Sequence, residues 1–154
     1  MQEGINSFLV QKGYVAIPIV QNDLGLLLIP VVVNNVTGLF ILDTGAGISL
    51  IESSHVERFK LNLRTADASF TGAGAGGLGL KLIPSSGNKI EISSYCLTDF
   101  PISTMSLEHV SQALAELGSQ EEILGIIGVD ILKPAKAIID YGSMTLYLLD
   151  KAGS

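Results

Sequence analysis

Four apolar residues, Leu39 to Leu42, run directly into Asp43, and the chain then loses side chains at Gly45 and Gly47. A carboxylate beside an apolar strand is unfavourable to bury unless hydrogen bonds or other charges compensate for its lost hydration. Gly45 also removes the side chain that would block approach to the carboxylate. Asp43 is therefore the acidic residue that we expect to be used in chemistry.

Length and charge limit the classes of protein to which the chain can belong. Its 154 residues suit one domain with a sizeable core. The formal net charge of -6 provides no basic surface, so we expect no nucleic-acid or anionic-membrane partner. The longest apolar run, residues 24–33, contains Pro30 and is too short to span a bilayer. A hydrophobic fraction of 47 %, spread over many short segments, indicates a β-rich core and a buried interface between subunits.

Cysteine and histidine are too few for an intrachain disulfide or a structural zinc site. Cys96 is the single cysteine, and we interpret it as a small apolar residue on a strand. His55 and His109 are the two histidines, and we expect both on helix surfaces. We therefore expect no metal and no cofactor. No basic segment precedes an apolar core at the N-terminus, so we expect no signal peptide in the sequence as given, and the compartment stays unknown.

Short apolar runs separated by turn residues predict a mostly β chain with two or three short helices. The helix at residues 106–117 is the most distinct, because apolar residues recur at helical spacing and Gly118 follows. We expect a flexible lead-in at residues 1–12, one domain at residues 13–150 and a C-terminal tail at residues 151–154. The predicted strands lie at residues 14–20, 26–33, 39–42, 89–97 and 100–104, and a final hairpin turns at Gly142 and Ser143.

A glycine-rich segment, residues 71–80, contains the spacing G-x-G-x-x-G at Gly72, Gly74 and Gly77. A dinucleotide site needs a helix after these glycines, whose N-terminus binds the pyrophosphate. Leucines instead alternate from Leu78 onward with a period of two, which is typical of a strand. The segment therefore predicts a mobile β-hairpin that approaches a ligand, and not a nucleotide site.

Two other aspartates follow apolar residues, but each has an ordinary structural interpretation. Asp140 precedes Tyr141 and Gly142, so we expect it at a turn. Asp130 follows Gly128 at the start of a predicted short helix, where we expect it to cap free N–H groups.

Two motifs give the chain a family resemblance. Residues 39–46, "LFILDTGA", resemble the active-site loop of the aspartic proteases, and residues 125–132, "GIIGVDIL", resemble the segment that crosses behind that loop in the retroviral-type members. Residues 70–77, "FTGAGAGG", lie where the flap of that family would be. The resemblance implies a mostly β, retropepsin-like acid-protease lobe, a closed β-barrel with short helices and one lobe per chain.

The resemblance also implies an activity and a set of site residues. One Asp-Thr-Gly motif is present where pepsin-type chains carry two, which implies a homodimeric endopeptidase with a peptide or protein substrate. Two copies of Asp43 would meet at a two-fold axis. Thr44 would brace the two loops and Gly45 would support the carboxylates. The implied substrate-binding residues are Ala46, Gly72, Ala73, Gly74, Ala75, Gly76 and Ile127.

One residue departs from the retroviral pattern, and one alternative function is compatible with the sequence. Val129 stands where retroviral enzymes carry an arginine that helps fix the dimer, which leaves the dimer geometry open. The sequence Gly-Val-Asp at residues 128–130 is more typical of cellular members than of viral ones. The alternative function is a non-catalytic dimeric module that keeps this fold in order to bind peptides or partners.

Overall fold

Strands hold more of the described residues than helices do, and three short α-helices interrupt them. The structure, a computed structural model, describes residues 2–64, 81–119 and 121–150. The helices are α1 (Gln2–Gln11), α2 (Glu108–Glu116) and α3 (Val129–Leu132), and Ser53–His55 form one turn of 3₁₀-helix. The strands are β1 (Tyr14–Pro18), β2 (Val20–Gln21), β3 (Leu27–Val33), β4 (Val36–Leu42), β5 (Leu50–Glu52), β6 (Asn62–Leu63), β7 (Ile83–Ser86), β8 (Asn88–Ile92), β9 (Tyr95–Phe100), β10 (Ser103–Met105), β11 (Gly125–Ile127), β12 (Ile138–Asp140) and β13 (Thr145–Leu149).

The strands form two sheets. The larger sheet has the order β6-β7-β10-β5-β11-β4-β3-β8-β9, with β2 paired to β3. The smaller sheet has the order β1-β13-β12. Across the described residues the larger sheet has free ends at β6 and β9, so the sheets do not close into the barrel that we expected. The mostly β fold class with short helices is confirmed.

Strand β11 separates two strands that are neighbours in sequence. It runs parallel to β4, where Ile127 is opposite Leu42, and antiparallel to β5, where Gly125 is opposite Ile51. Gly125 permits this fit, because a Cβ atom there would collide with the carbonyl oxygen of Leu50. The parallel pairing brings the residues after β4 and after β11 side by side, and this juxtaposition positions the site.

The end of β4 is buried on both faces, which accounts for its unbroken apolar sequence. Phe40 and Leu42 belong to the larger apolar cluster. Ile41 belongs to a second cluster, which also contains Leu50 and Leu114 of α2. Asp43 is the first residue beyond this strand, so the packed core fixes the point at which the carboxylate leaves the sheet.

The N-terminal segment, which we predicted as a flexible lead-in, contains helix α1 at Gln2–Gln11. The side chain of Leu9 is buried, and the Tyr147 hydroxyl donates a hydrogen bond to Asn6 at 3.2 Å. Gly13 ends the helix with a φ of +96°, a conformation that glycine adopts readily. Apart from Leu9, the side chains of residues 4–11 are exposed, which left little helical periodicity to recognise.

The other predicted elements at the C-terminal half are confirmed. Helix α2 lies within residues 106–117, and β11 is followed by Gly128 and helix α3. Strands β12 and β13 form the predicted hairpin. No helix in the described residues has the length and apolar character needed to cross a membrane. Residues 151–154 lie outside the described residues, and the domain limits stay a prediction.

Candidate active site

Asp43 lies at the end of β4 and is held by backbone groups on both sides. Its N–H donates to the carbonyl oxygen of Ile127 at 3.0 Å, which continues the pairing of β4 with β11. Its carboxylate oxygen Oδ1 accepts the N–H of Gly45 at 2.8 Å. This is the only hydrogen bond that the described residues give to the carboxylate. Asp43 is partly exposed in the single chain, so its other oxygen is available to a further group.

The loop after Asp43 is folded back against the second motif. The Ala46 N–H donates to the Asp43 carbonyl at 3.2 Å, and the Ala46 carbonyl accepts the Val129 N–H at 2.8 Å. Gly128 makes this approach possible, because a Cβ atom there would lie 2.6 Å from the Ala46 oxygen. The glycine of the second motif is therefore required by the proximity of the two backbones.

Asp130 does not cap the helix, which corrects our expectation. Its oxygen Oδ2 accepts the Ser49 N–H at 3.0 Å, and its oxygen Oδ1 accepts the Ser49 hydroxyl at 2.7 Å. The N-cap residue of α3 is Gly128, which provides no side chain. Asp130 faces back toward the loop because Ser49 presents two donors there. The N–H groups at the start of α3 already have partners, since that of Val129 donates to the Ala46 carbonyl and those of Ile131 and Leu132 donate to the Gly128 carbonyl.

The predictions for Asp140 and Cys96 have different outcomes. Asp140 lies at the turn of the β12–β13 hairpin, as predicted, and accepts the Gly142 N–H at 2.9 Å and the Ser143 hydroxyl at 2.8 Å. The Ser143 hydroxyl bond lowers the pKa of Asp140 below its usual range, and the backbone N–H groups of the turn add to this effect. Cys96 lies on β9 as expected, but its side chain is exposed.

Of the two histidines, His109 is exposed on α2, as predicted. His55 lies at the end of the 3₁₀ turn with only 13 % of its side chain exposed, so it is more enclosed than a helix-surface residue. Its Nε2 atom lies 3.6 Å from a carboxylate oxygen of Glu122. Within the described ranges no group of three or more potential metal ligands lies together.

Thr44 opens onto an apolar groove on the surface. Thr44 is exposed and contributes to a cavity of about 460 Å³. The groove is also lined by Val129, Leu132, Lys133, Lys136, Ala137 and Ile139. Ile48, in the same loop, is 41 % exposed. The loop therefore presents apolar surface beside Asp43 in the single chain.

The remaining predicted site residues fall into two groups. The side chain of Ile127 is fully buried in the larger cluster, its carbonyl oxygen accepts the Asp43 N–H, and its contact with a substrate stays a prediction. Ala46 lies in the loop and is partly exposed. The predicted flap residues Gly72, Ala73, Gly74, Ala75 and Gly76 lie outside the described residues and stay a prediction.

Sequence reasoning did not identify Ser49 as part of this site. Ser49 is 1 % exposed, and its hydroxyl accepts the Gly128 N–H at 2.9 Å as well as donating to Asp130. The available signal was a serine between Ile48 and Leu50, since a polar residue in a buried apolar run needs partners.

Asp43 follows a buried strand, leads into a Thr-Gly turn and lies beside the Gly-containing strand β11, as the resemblance to the aspartic proteases implies. The family model described as aspartyl protease matches residues 29–131, which is more than half of the sequence. The chain belongs to the aspartyl protease family. Comparison with curated proteins gave no match.

Three solved structures share the fold. A retropepsin-like aspartic protease from Rickettsia conorii has 18 % identity and a TM-score of 0.55, with 88 % of this chain and 90 % of that chain covered. The retroviral protease-like domain of Ddi1 from Leishmania major has 18 % identity and a TM-score of 0.54, with 80 % and 87 % covered. EIAV protease in complex with the inhibitor HBY-793 has 20 % identity and a TM-score of 0.53, with 79 % and 99 % covered. The predicted family resemblance and the retropepsin-like fold are confirmed.

Proposed function

We propose that two copies of this chain form an aspartic endopeptidase in which two Asp43 carboxylates, one from each copy, activate a water molecule. The observation that carries this proposal is the Asp43 carboxylate, which accepts the Gly45 N–H on one oxygen and is partly exposed at the start of its loop. One chain supplies one such carboxylate, and the chemistry needs a base and an acid together.

The reaction is a hydrolysis in which one carboxyl group accepts a proton while the other donates one. The ionised Asp43 takes a proton from water, and the water oxygen bonds to the carbonyl carbon of the peptide. The protonated Asp43 of the other copy donates its proton to the carbonyl oxygen, which gives a neutral tetrahedral intermediate. The carboxyl group that took the proton from water then donates it to the peptide nitrogen. As the C–N bond breaks, one hydroxyl group of the intermediate returns its proton to the carboxylate pair, which again holds one proton as at the start.

The surface next to Asp43 supports the role of a second copy. Thr44 is exposed, and Ile48 of the same loop is 41 % exposed, although both lie beside a buried core. A symmetric partner that covers this loop would bury that apolar surface and place identical residues opposite one another. Thr44 would then donate its hydroxyl across the interface, Gly45 would support the carboxylate, and Ala46 with the segment 72–76 would contact the peptide.

The test is cleavage of a mixed peptide library by wild type and by Asp43→Asn, followed by mass spectrometry. We expect Asp43→Asn to lower the rate at least about 100-fold while the protein stays folded, because an amide cannot act as a base. The matched control is Asp99→Asn, since Asp99 is exposed with a φ of 54°, a conformation that asparagine also tolerates. Comparable cleavage by Asp43→Asn would disprove the proposal, and peptide binding by wild type without cleavage would favour the binding module.

A further inference from the structure

We infer that Ser49 and Asp130 are positioning residues for Asp43, because they fix the far end of the Asp43 loop against the turn between β11 and α3. The catalytic consequence of this inference rests on the proposed function. The positioning itself concerns the loop and is measurable without any activity.

The link consists of three hydrogen bonds that satisfy each group involved. The Asp130 carboxylate accepts the Ser49 N–H on one oxygen and the Ser49 hydroxyl on the other, at 3.0 and 2.7 Å. The Ser49 hydroxyl in turn accepts the N–H of Gly128, which is buried, at 2.9 Å. A hydrogen bond to a carboxylate is stronger than one between neutral groups, and this link contains two such bonds.

Three contacts bind the loop, residues 43–49, to the short segment 127–130. At the start, the Asp43 N–H donates to Ile127, and in the middle the Ala46 carbonyl accepts the Val129 N–H. At the end, Ser49 is bound by Asp130. The first two contacts join backbone to backbone, so the contact at Ser49 is the one that depends on side chains.

The loop needs such an anchor because its own sequence is permissive. Gly45 and Gly47 allow many backbone conformations, and the loop is largely exposed between its two ends. Two carboxylates that must share a proton require a fixed separation, and a displacement of about 1 Å is enough to lower a rate about 100-fold. A buried link at the loop end therefore acts on the geometry of Asp43 through the backbone.

The experiment compares Ser49→Ala with Ser143→Ala. Both changes remove a serine hydroxyl that donates to an aspartate, at 2.7 Å to Asp130 and at 2.8 Å to Asp140, but the second pair lies in the β12–β13 hairpin. We expect Ser49→Ala to lower kcat about 10- to 100-fold with little change in KM, and Ser143→Ala to leave both unchanged. Ser49→Thr keeps the hydroxyl and should restore most of kcat.

The pH profile separates positioning from a merely structural role. If the two Asp43 groups move apart, they repel each other less, and the pH range over which the pair holds one proton becomes narrower. We therefore expect a narrower bell-shaped profile of kcat/KM for Ser49→Ala. A profile of unchanged width with an unchanged kcat would overturn the inference.

Amide hydrogen exchange gives a readout that does not depend on activity. We expect the N–H groups of Gly45 and Ala46 to exchange faster in Ser49→Ala than in wild type and Ser143→Ala. Asp130→Asn is the second variant, and we expect the same faster exchange. In wild type both Asp130 oxygens accept a Ser49 donor, whereas asparagine replaces one of these oxygens by an NH₂ group, which is itself a donor. Unchanged exchange in both variants, or loss of the whole fold in both, would overturn the inference. An inactive wild type would disprove the proposed function, while the exchange rates would still decide the positioning.

Discussion

The two motifs, residues 39–46 and 125–132, can pack together because Gly128 has no side chain. A Cβ atom there would lie 2.6 Å from the Ala46 carbonyl oxygen and 3.0 Å from that of Ile48. Both atoms belong to the backbone of the Asp43 loop, so they cannot rotate away as the end of a side chain would. The backbone of Gly128 is extended, with a φ of -116°, so the requirement for glycine comes from space and not from an unusual backbone angle.

Gly128→Ala should therefore destabilise the protein and displace the Asp43 loop. We expect a loss of about 1–3 kcal/mol in the free energy of unfolding, because the extra methyl group overpacks a closed contact. Gly47→Ala is the matched control, since a Cβ atom there would meet nothing within 4 Å. Urea unfolding of the three proteins measures the difference, and equal stability of Gly128→Ala and wild type would contradict the contact described here.

At the scale of elements, Glu52 joins the end of β5 to the chain that enters α2. Its carboxylate accepts the Ser54 N–H at 2.8 Å and the Leu107 N–H at 2.9 Å. Burial alone would raise the pKa of Glu52, but the hydrogen bonds from Leu107, Ser54 and Ser53 outweigh it and lower the pKa below its ordinary value of 4.5. The ionised form is therefore favoured in the folded protein.

Glu52→Gln should lower stability at neutral pH and have less effect in acid. A lowered folded-state pKa means that the carboxylate stabilises the fold above its unfolded pKa, and that this contribution is lost as the pH falls through the folded pKa. We expect a loss of about 1 kcal/mol at pH 7 that shrinks below about pH 4. Thermal unfolding across this range, with the exposed Glu57→Gln as control, tests this, and a difference that stays constant with pH would refute it.

Elements whose signals are local could be predicted from the sequence. The β11–Gly128–α3 unit and the β12–β13 hairpin have apolar runs and turn residues next to one another in the chain. The insertion of β11 between β4 and β5 could not be read from periodicity, because it depends on pairing between distant segments. The link from Ser49 to Asp130 spans 81 positions, so local rules assigned Asp130 to its own helix. Helix α1 was missed because its side chains are mostly exposed.

At the scale of the whole molecule, the proposed function requires two chains for one site. The groove beside Thr44 combines apolar lining from Leu132 and Ile139 with an exposed hydroxyl. The hydrophobic fraction of 47 % is consistent with further burial between subunits.

Dilution should therefore lower specific activity, and Thr44→Val should move this loss to higher concentration. Valine keeps the shape of threonine but removes the hydroxyl. The loss of two symmetric hydrogen bonds of about 1 kcal/mol each would raise the dimer dissociation constant about 30-fold. Activity measured over a concentration series, beside sedimentation of the same samples, tests this. A fully active monomer would contradict it, and an unchanged midpoint for Thr44→Val would remove Thr44 from the interface.

Mixing wild type with Asp43→Asn tests the shared catalytic pair most directly. The total chain concentration is held well above the dimer dissociation constant, and the subunits are allowed to exchange before peptide cleavage is measured. If every active site needs Asp43 from both copies, activity follows the square of the wild-type fraction, so an equal mixture keeps about one quarter of the activity. If an equal mixture keeps about one half, each chain acts with its own carboxylate, and the proposed pairing of two Asp43 residues is wrong.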